Sequence, residues 1–222
     1  MPDNTTHHDP RSLRERIIQC VRRHDDVPTK ADIQPRPTIG DFDLTSPPKP
    51  IPDRPLTPAA VLVPIVEHPH DLSILLTKRT SHLYHHPGQI SFPGGRAEET
   101  DNGPVATALR ETREEIGLDP ALVRVIGFLD TYETTTAYLV TPVVGLVTPG
   151  FRLQPDPFEV ERVFEMPVSF LMDPGNHEIQ SRTIKGTQHG FYVIEYQGDS
   201  IWGATAGMLI NLYRRIMGVS ID

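Results

Sequence analysis

The spacing of apolar positions changes several times along the chain, and each change marks an element. Between Pro10 and about His24, Leu13, Ile17, Ile18 and Val21 recur at helical spacing with arginines between them. This predicts a short amphipathic helix. Asp9 can cap it, and Pro10 suits the first helical position, where an N–H would have no intrahelical partner. From Ala59 onward, apolar runs bounded by turn residues take over. Ala59–Glu67 and Leu72–Arg79 read as strands joined by a turn at His68–Asp71. Val123–Tyr132 and Ala137–Val147 also read as strands. Val163–Leu171 reads as a strand passing into a short helix, and Glu178–Lys185 with Phe191–Tyr196 as a hairpin. Two longer helices stand out. Pro104–Ile116 opens on a proline and stops at Gly117. Ala204–Met217 places Met208, Leu209, Leu212 and Ile216 on one side. Mixed strands with two substantial helices predict an α/β sandwich, α+β in the order of its elements.

Composition locates an appendage. The chain has 222 residues and 23 prolines. Many of these prolines fall in Val27–Pro58: Pro28, Pro35, Pro37, Pro47, Pro48, Pro50, Pro52, Pro55 and Pro58. Proline fixes its own φ and pushes its predecessor toward extended backbone. Residues 1–57 therefore read as a helix followed by an extended lead that wraps the domain, and 58–222 as the domain itself. A ligand for a proline-recognising module is the alternative for the lead.

Charge and cysteine content narrow the function classes. A formal net charge of −8 argues against a nucleic-acid binder, which needs a cationic footprint. It leaves room for a phosphate-bearing small molecule held through a metal. One cysteine, Cys20, makes no internal disulfide. Apolar stretches such as Ala59–Val66 are far shorter than the roughly 20 residues that span a bilayer. The opening Met-Pro-Asp-Asn-Thr has no basic-then-apolar signal pattern. A cytoplasmic protein without a membrane partner is the expectation.

The chemistry concentrates in Gly94–Leu118. At about 100° per residue, Val105, Leu109, Thr112 and Ile116 form the buried stripe of the helix, while Glu111, Glu114 and Glu115 share another face. Clustered carboxylates repel one another, and a hard divalent cation relieves that repulsion. Glycine at 94 and 95 lets backbone, including a carbonyl, approach a ligand closely. The plainer alternative is a solvated acidic face.

This segment resembles the Nudix box, G-x5-E-x7-R-E-U-x-E-E-x-G-U with U a bulky aliphatic. Here it runs Gly95-x5-Asp101-x8-Arg110-Glu111-Thr112-x-Glu114-Glu115-x-Gly117-Leu118. Asp101 stands for the first glutamate, one residue is added before Arg110, and Thr112 replaces the aliphatic. Upstream, Leu75-Leu76-Thr77-Lys78-Arg79-Thr80, Tyr84, Gly88 and Phe92-Pro93-Gly94-Gly95 are similar to the signature of coenzyme A pyrophosphatases, L-L-T-x-R-(S/A)-x3-R-x3-G-x3-F-P-G-G. Thr80 and Tyr84 depart from it, Tyr84 standing where the signature has a second arginine. The resemblance covers about Pro58–Met217.

The resemblance implies a Nudix-type α/β/α sandwich with a mixed sheet. It implies Mg²⁺- or Mn²⁺-dependent hydrolysis of a pyrophosphate, with coenzyme A or an acyl-CoA giving 3′,5′-ADP and (acyl-)4′-phosphopantetheine. Glu111 and Glu115 would be the principal metal ligands, Glu114 a further ligand or water-orienting base, and Gly95 a contributor to the metal site. Arg110 would orient Glu111, although a helix salt bridge is its ordinary alternative. Lys78, Arg79, Arg96 and Gly94 would contact the substrate, with a solvated strand position as the plain reading of Lys78. Glu133, Glu159 and Glu161 are downstream acids that can reach the site. His82, His85 and His86 lack the spacing of a structural zinc motif, and one of them can stand in for the missing arginine. Trp202 reads as core beneath the last helix, with base stacking as its alternative. ADP-ribose, dinucleotide or nucleoside triphosphate hydrolysis is a second reading. A nucleotide-sensing module of the same fold is a third. The expected assembly is a monomer or homodimer.

Overall fold

A computed structural model describes residues 10–21, 39–41, 43–46, 55–84, 86–184 and 186–219. Asp9, residues 22–24, His85 and most of the proline-rich stretch, including Pro28, Pro35, Pro37, Pro47, Pro48, Pro50 and Pro52, lie outside the described residues.

The central feature is a mixed nine-stranded sheet. Its spine is the parallel pairing of β3 (Thr57–Glu67) with β9 (Tyr138–Val147), in register from Thr57↔Tyr138 to Val66↔Val147. β4 (Leu72–Arg79) and β10 (Val160–Pro167) extend the sheet antiparallel on one side. β8 (Tyr132–Glu133) and β1 (Ile39–Gly40) extend it on the other, while β5 (Ile90–Ser91), β6 (Gly94–Arg96) and β7 (Val123–Phe128) pair with β4, β3 and β9. The centre of β3 is an unbroken buried run, because helices cover both faces of the sheet. On one face α1 (Pro10–Cys20), the short α3 (Val168–Leu171) and α4 (Ala204–Met217) pack through Leu13, Ile17, Leu171, Leu209 and Leu212. On the other, α2 (Pro104–Ile116) packs through Ala108 and Ile116 onto Ala60, Leu62 and Val143. The architecture is the expected α/β/α sandwich of α+β class.

A second, smaller sheet holds β2 (Thr45–Ser46), β11 (Glu178–Ile184), β12 (Thr187–Tyr196) and β13 (Asp199–Trp202). The pattern of the chain announced β11 and β12 but neither β13 nor the two short strands of the lead. Those two strands join the sheets: β1 pairs with β8 of the large sheet and β2 with β12 of the small one.

The predicted strand Val123–Tyr132 is two strands. At the break, Asp130 gives its backbone N–H to Asn211 Oδ1 at 3.3 Å, and its carboxylate takes Arg215 Nε and Nη2 at 2.9 and 2.7 Å. Those bonds to α4 replace ladder bonds at that point. Arg215 also donates to the Cys20 carbonyl at 3.0 Å, which ties α1 to the same knot. The boundaries of Leu72–Arg79, Pro104–Ile116 and Ala204–Met217 fall where the sequence placed them. Gly117 ends α2 in the left-handed region at φ 70°, its N–H on the Arg113 carbonyl at 2.9 Å, a conformation glycine adopts without steric cost. No helix among the described residues is long and apolar enough to cross a membrane.

Candidate active site

The segment that opens with Gly94 and Gly95 begins as the strand β6. Gly94–Arg96 pairs with Ala59–Val61 of β3, which holds two glycines flat beneath α2. A Cβ at Gly95 would come within 2.6 Å of the Glu111 carboxyl carbon and Oε2. Only glycine leaves room for that carboxylate to rest on the strand.

Arg110 fixes the arrangement. Its Nε and Nη2 bind Asp101 Oδ1 and Oδ2, both at 2.9 Å, and Nη1 reaches Glu111 Oε1 at 2.8 Å and Glu114 Oε2 at 3.1 Å. Nη2 also donates to the Arg96 carbonyl at 3.2 Å, which joins helix to strand. A planar fork with five donors satisfies all of these at once, and lysine would not. Asp101 is buried, receives Thr107 Oγ1 and the Glu98 N–H at 2.9 Å each, and is held well below the ordinary carboxylate range, chiefly by Arg110. The residue at the first acidic position of the box is therefore an anchor for Arg110. The hydroxyl of Thr112 is buried but donates to the Ala108 carbonyl at 2.6 Å, so a polar residue costs little at this aliphatic position.

The three glutamates do not share one environment, contrary to the helical-wheel expectation. Glu115 joins the buried side with its side chain 8% exposed, whereas Glu114 is 60% exposed and Glu111 lies between at 20%. The reason is local: Glu115 faces β6 and β4, where it accepts the Gly94 N–H at 3.2 Å and has Arg79 Nη1 at 3.9 Å. Burial pushes its carboxyl up to about 8, the Gly94 N–H and Arg79 oppose this, and Glu159 and Glu111 add to it. Burial raises Glu111 as well, opposed by Arg110 and reinforced by Glu114 and Glu159.

The donor set fits a hard divalent cation. It is all oxygen, it holds two carboxylates whose charge is disfavoured by burial and by each other, and the glycine strand leaves their approach open. Among the described residues no three acidic, histidine or cysteine side chains close into a ready cage. Mg²⁺ is typically held by one or two carboxylates, with waters and substrate phosphates completing its shell.

A cleft of about 1020 Å³ opens beside the glycine strand on the α4 side of the sheet. Arg79, Gly94, Gly95 and Arg96 form one end of it. Lys78 does not join them, because its ammonium lies between Glu161 Oε1 at 3.2 Å and Asp199 Oδ1 at 3.3 Å. Of the downstream acids, Glu159 acts electrostatically on Glu111 and Glu115, Glu161 is paired with Lys78, and Glu133 is buried in β8. His86 lines the cleft, His82 packs edge-on against Phe158 with ring centroids 5.0 Å apart, and Tyr84 is 92% exposed.

Trp202 corrects the core reading. It is 41% exposed, lines the cleft and lies 6.0 Å from the Phe191 ring, because the unforeseen strand β13 lifts it off α4. Asp41, Tyr132, Tyr138 and Arg182 also line the cleft and were not singled out from sequence. They come from four separate segments, so no local spacing pointed to them.

One buried and one half-buried carboxylate seated on a glycine strand, with an arginine beside them to face an anion, suit the hydrolysis of phosphoanhydrides. Residues 56–185 match the NUDIX domain. The chain is 40% identical over 158 residues to a protein of Escherichia coli strain K12 described as an uncharacterized Nudix hydrolase, NudL, which covers 71% of this chain and 82% of that one. The figures are the same for its counterpart in Escherichia coli O6:H1 strain CFT073. A solved C. elegans Ap4A hydrolase binary complex superposes with a TM-score of 0.44 at 18% identity, over 51% of this chain and 82% of that one. The chain belongs to the Nudix hydrolases, pyrophosphatase-type enzymes that act on nucleoside diphosphate derivatives and generally use divalent metal ions.

Proposed function

We propose that this enzyme hydrolyses the pyrophosphate of coenzyme A or its thioesters to 3′,5′-ADP and (acyl-)4′-phosphopantetheine, with Mg²⁺ or Mn²⁺. The observation that carries this reading is the fold of the coenzyme A pyrophosphatase-like stretch: its Leu-Leu-Thr-Lys-Arg run is β4, its Gly-Gly pair is β6, and the two bring Arg79 to Glu115 beside an open cleft.

Both the attacking side and the leaving side of this reaction are anionic. A bound divalent cation supplies charge neutralisation and a lowered water pKa at such a centre. Glu111 and Glu115 would hold it, with Glu114 and the backbone of Gly95 contributing. Arg110 keeps the Glu111 carboxylate on the glycine strand through its own bond to Asp101. Arg79 and Arg96, with the Gly94 backbone, face the diphosphate from the end of the cleft. Lys78 belongs with Glu161 and Asp199 and steadies the sheet edge. Glu114 is the acid best exposed to orient a water.

Residues 58–222 serve as the hydrolase domain and 1–57 as its lead, in a cytoplasmic monomer or homodimer that needs neither nucleic acid nor membrane. The deciding experiment incubates purified protein with coenzyme A and Mn²⁺ and resolves products by mass, expecting 3′,5′-ADP and 4′-phosphopantetheine. One observation favours a second reading, in which ADP-ribose, a dinucleotide or a nucleoside triphosphate is the substrate: Tyr84, at the signature's second arginine, stands almost wholly in solvent. Turnover of those compounds with coenzyme A left intact would establish it.

A further inference from the structure

The glycine strand supplies only part of the cleft's lining, and another part comes from the small sheet. Its register sets Arg182 across from His189, Gln180 across from Phe191 and Val193 across from Trp202, and side chains opposed across a ladder share a face. Arg182, His189, Phe191 and Trp202 all line the cleft.

The charges that line the cleft are unequal in their commitments. Arg214 gives Nη2 to the Tyr192 hydroxyl at 2.7 Å. The cleft's two carboxylates are already engaged: Asp41 accepts the Tyr132 hydroxyl and the Thr135 N–H at 2.7 Å each, and Asp43 accepts the Gly40 N–H at 2.9 Å. Among the described residues, no carboxylate pairs with the Arg182 guanidinium. Trp202, tilted against Phe191, exposes ring area to the same cleft, a surface on which a nucleobase can stack. An arginine open to bidentate bonding matches the geometry of a phosphate monoester.

We infer that these residues form the nucleoside subsite, in which Trp202 stacks the base, Phe191 meets its edge and Arg182 binds a phosphate monoester on the ribose, separate from the diphosphate that is cleaved. The assignment rests on the reading of coenzyme A as substrate and extends it, since that molecule carries such a phosphate where ADP-ribose does not. It makes Arg182 a specificity residue with no part in bond cleavage.

Calorimetric titration with 3′,5′-ADP and with 5′-AMP, in the presence of Mg²⁺, tests it without turnover. The intact protein is expected to bind 3′,5′-ADP about tenfold more tightly, one charge-assisted contact. Arg182→Gln should remove that preference and leave 5′-AMP unchanged, Arg182→Lys should keep part of it, and Trp202→Ala should weaken both nucleotides alike. Equal affinities in the intact protein, or a preference that Arg182→Gln does not reduce, overturn the assignment. Parallel assay of coenzyme A separates the two readings. A preference lost in Arg182→Gln with no coenzyme A cleavage supports the subsite and rejects that substrate. Cleavage without any preference rejects the subsite alone.

Discussion

The glycine strand under its helix and the small sheet are built on opposite plans. At the first, the end proposed for catalysis, Arg110 alone makes bonds to Asp101, Glu111, Glu114 and the Arg96 carbonyl, all within a stretch of chain from residue 96 to 114. In the second, Arg182 and Trp202 line the cleft from strands of a sheet that a segment of the lead joins at β12. Chemistry needs groups held to a fraction of an ångström, and a dense hydrogen-bond network provides this. Recognition tolerates more freedom, because stacking and a bidentate anion contact adapt to the ligand. The fixed end therefore tolerates substitution poorly, whereas the adaptable end should lose affinity step by step.

The sharpest way to break this contrast is at the carboxylates. Glu111→Gln and Glu115→Gln should each lower kcat by on the order of 10³-fold, several kcal/mol of transition-state stabilisation. Their far-ultraviolet circular dichroism should stay native. Wild-type turnover in both variants would end the catalytic assignment. Gly95→Ala follows, because its methyl group would displace the Glu111 carboxylate from 2.6 Å. A displacement of about an ångström is expected to cost roughly 10²-fold in kcat.

Asp101→Ala separates structure from chemistry at the same end. It leaves Arg110 without its bidentate partner, and urea denaturation should show a loss of about 2–4 kcal/mol, discounted because the arginine is partly exposed. At the recognition end, Trp202→Ala should raise KM about tenfold with kcat nearly kept, the cost of one stacked base. Its midpoint of thermal unfolding should barely move, since Trp202 is half out of the core.

A further test at the carboxylates is a pH slope. Glu115 is raised from its ordinary 4.5 to about 8 by burial in the metal-free protein. Between those values the folded chain holds a proton that the unfolded chain has released, so stability falls as pH rises through that window. Glu115→Gln should flatten the decline. Denaturation in a chelator at pH 5 and pH 8.5, for both proteins, measures the difference.

The hydrophobic period fixed the large helices and the long strands because one face of each must meet the core wherever it lies in the sheet. Spacing alone also put Arg110, Glu111, Glu114 and Glu115 on one short helix, close enough to act together. Sequence did not reveal that Glu115 is buried and Glu114 is not, since that depends on where β6 runs beneath α2. It did not place Asp101 as the partner of Arg110, because that bond crosses a loop. Nor did it foresee the cleft wall: β1, β2 and β13 are too short to carry a period, β1 and β2 exist because strands far along the chain offer them an edge, and β13 is the return strand of a tight hairpin from β12. What the sequence by itself determined is the chemistry, a set of residues local enough to be encoded by spacing on one helix. Which acid is desolvated, which cations are paired and which aromatic faces the cleft were decided by the tertiary structure, because burial and pairing are properties of neighbours that the chain brings together only on folding.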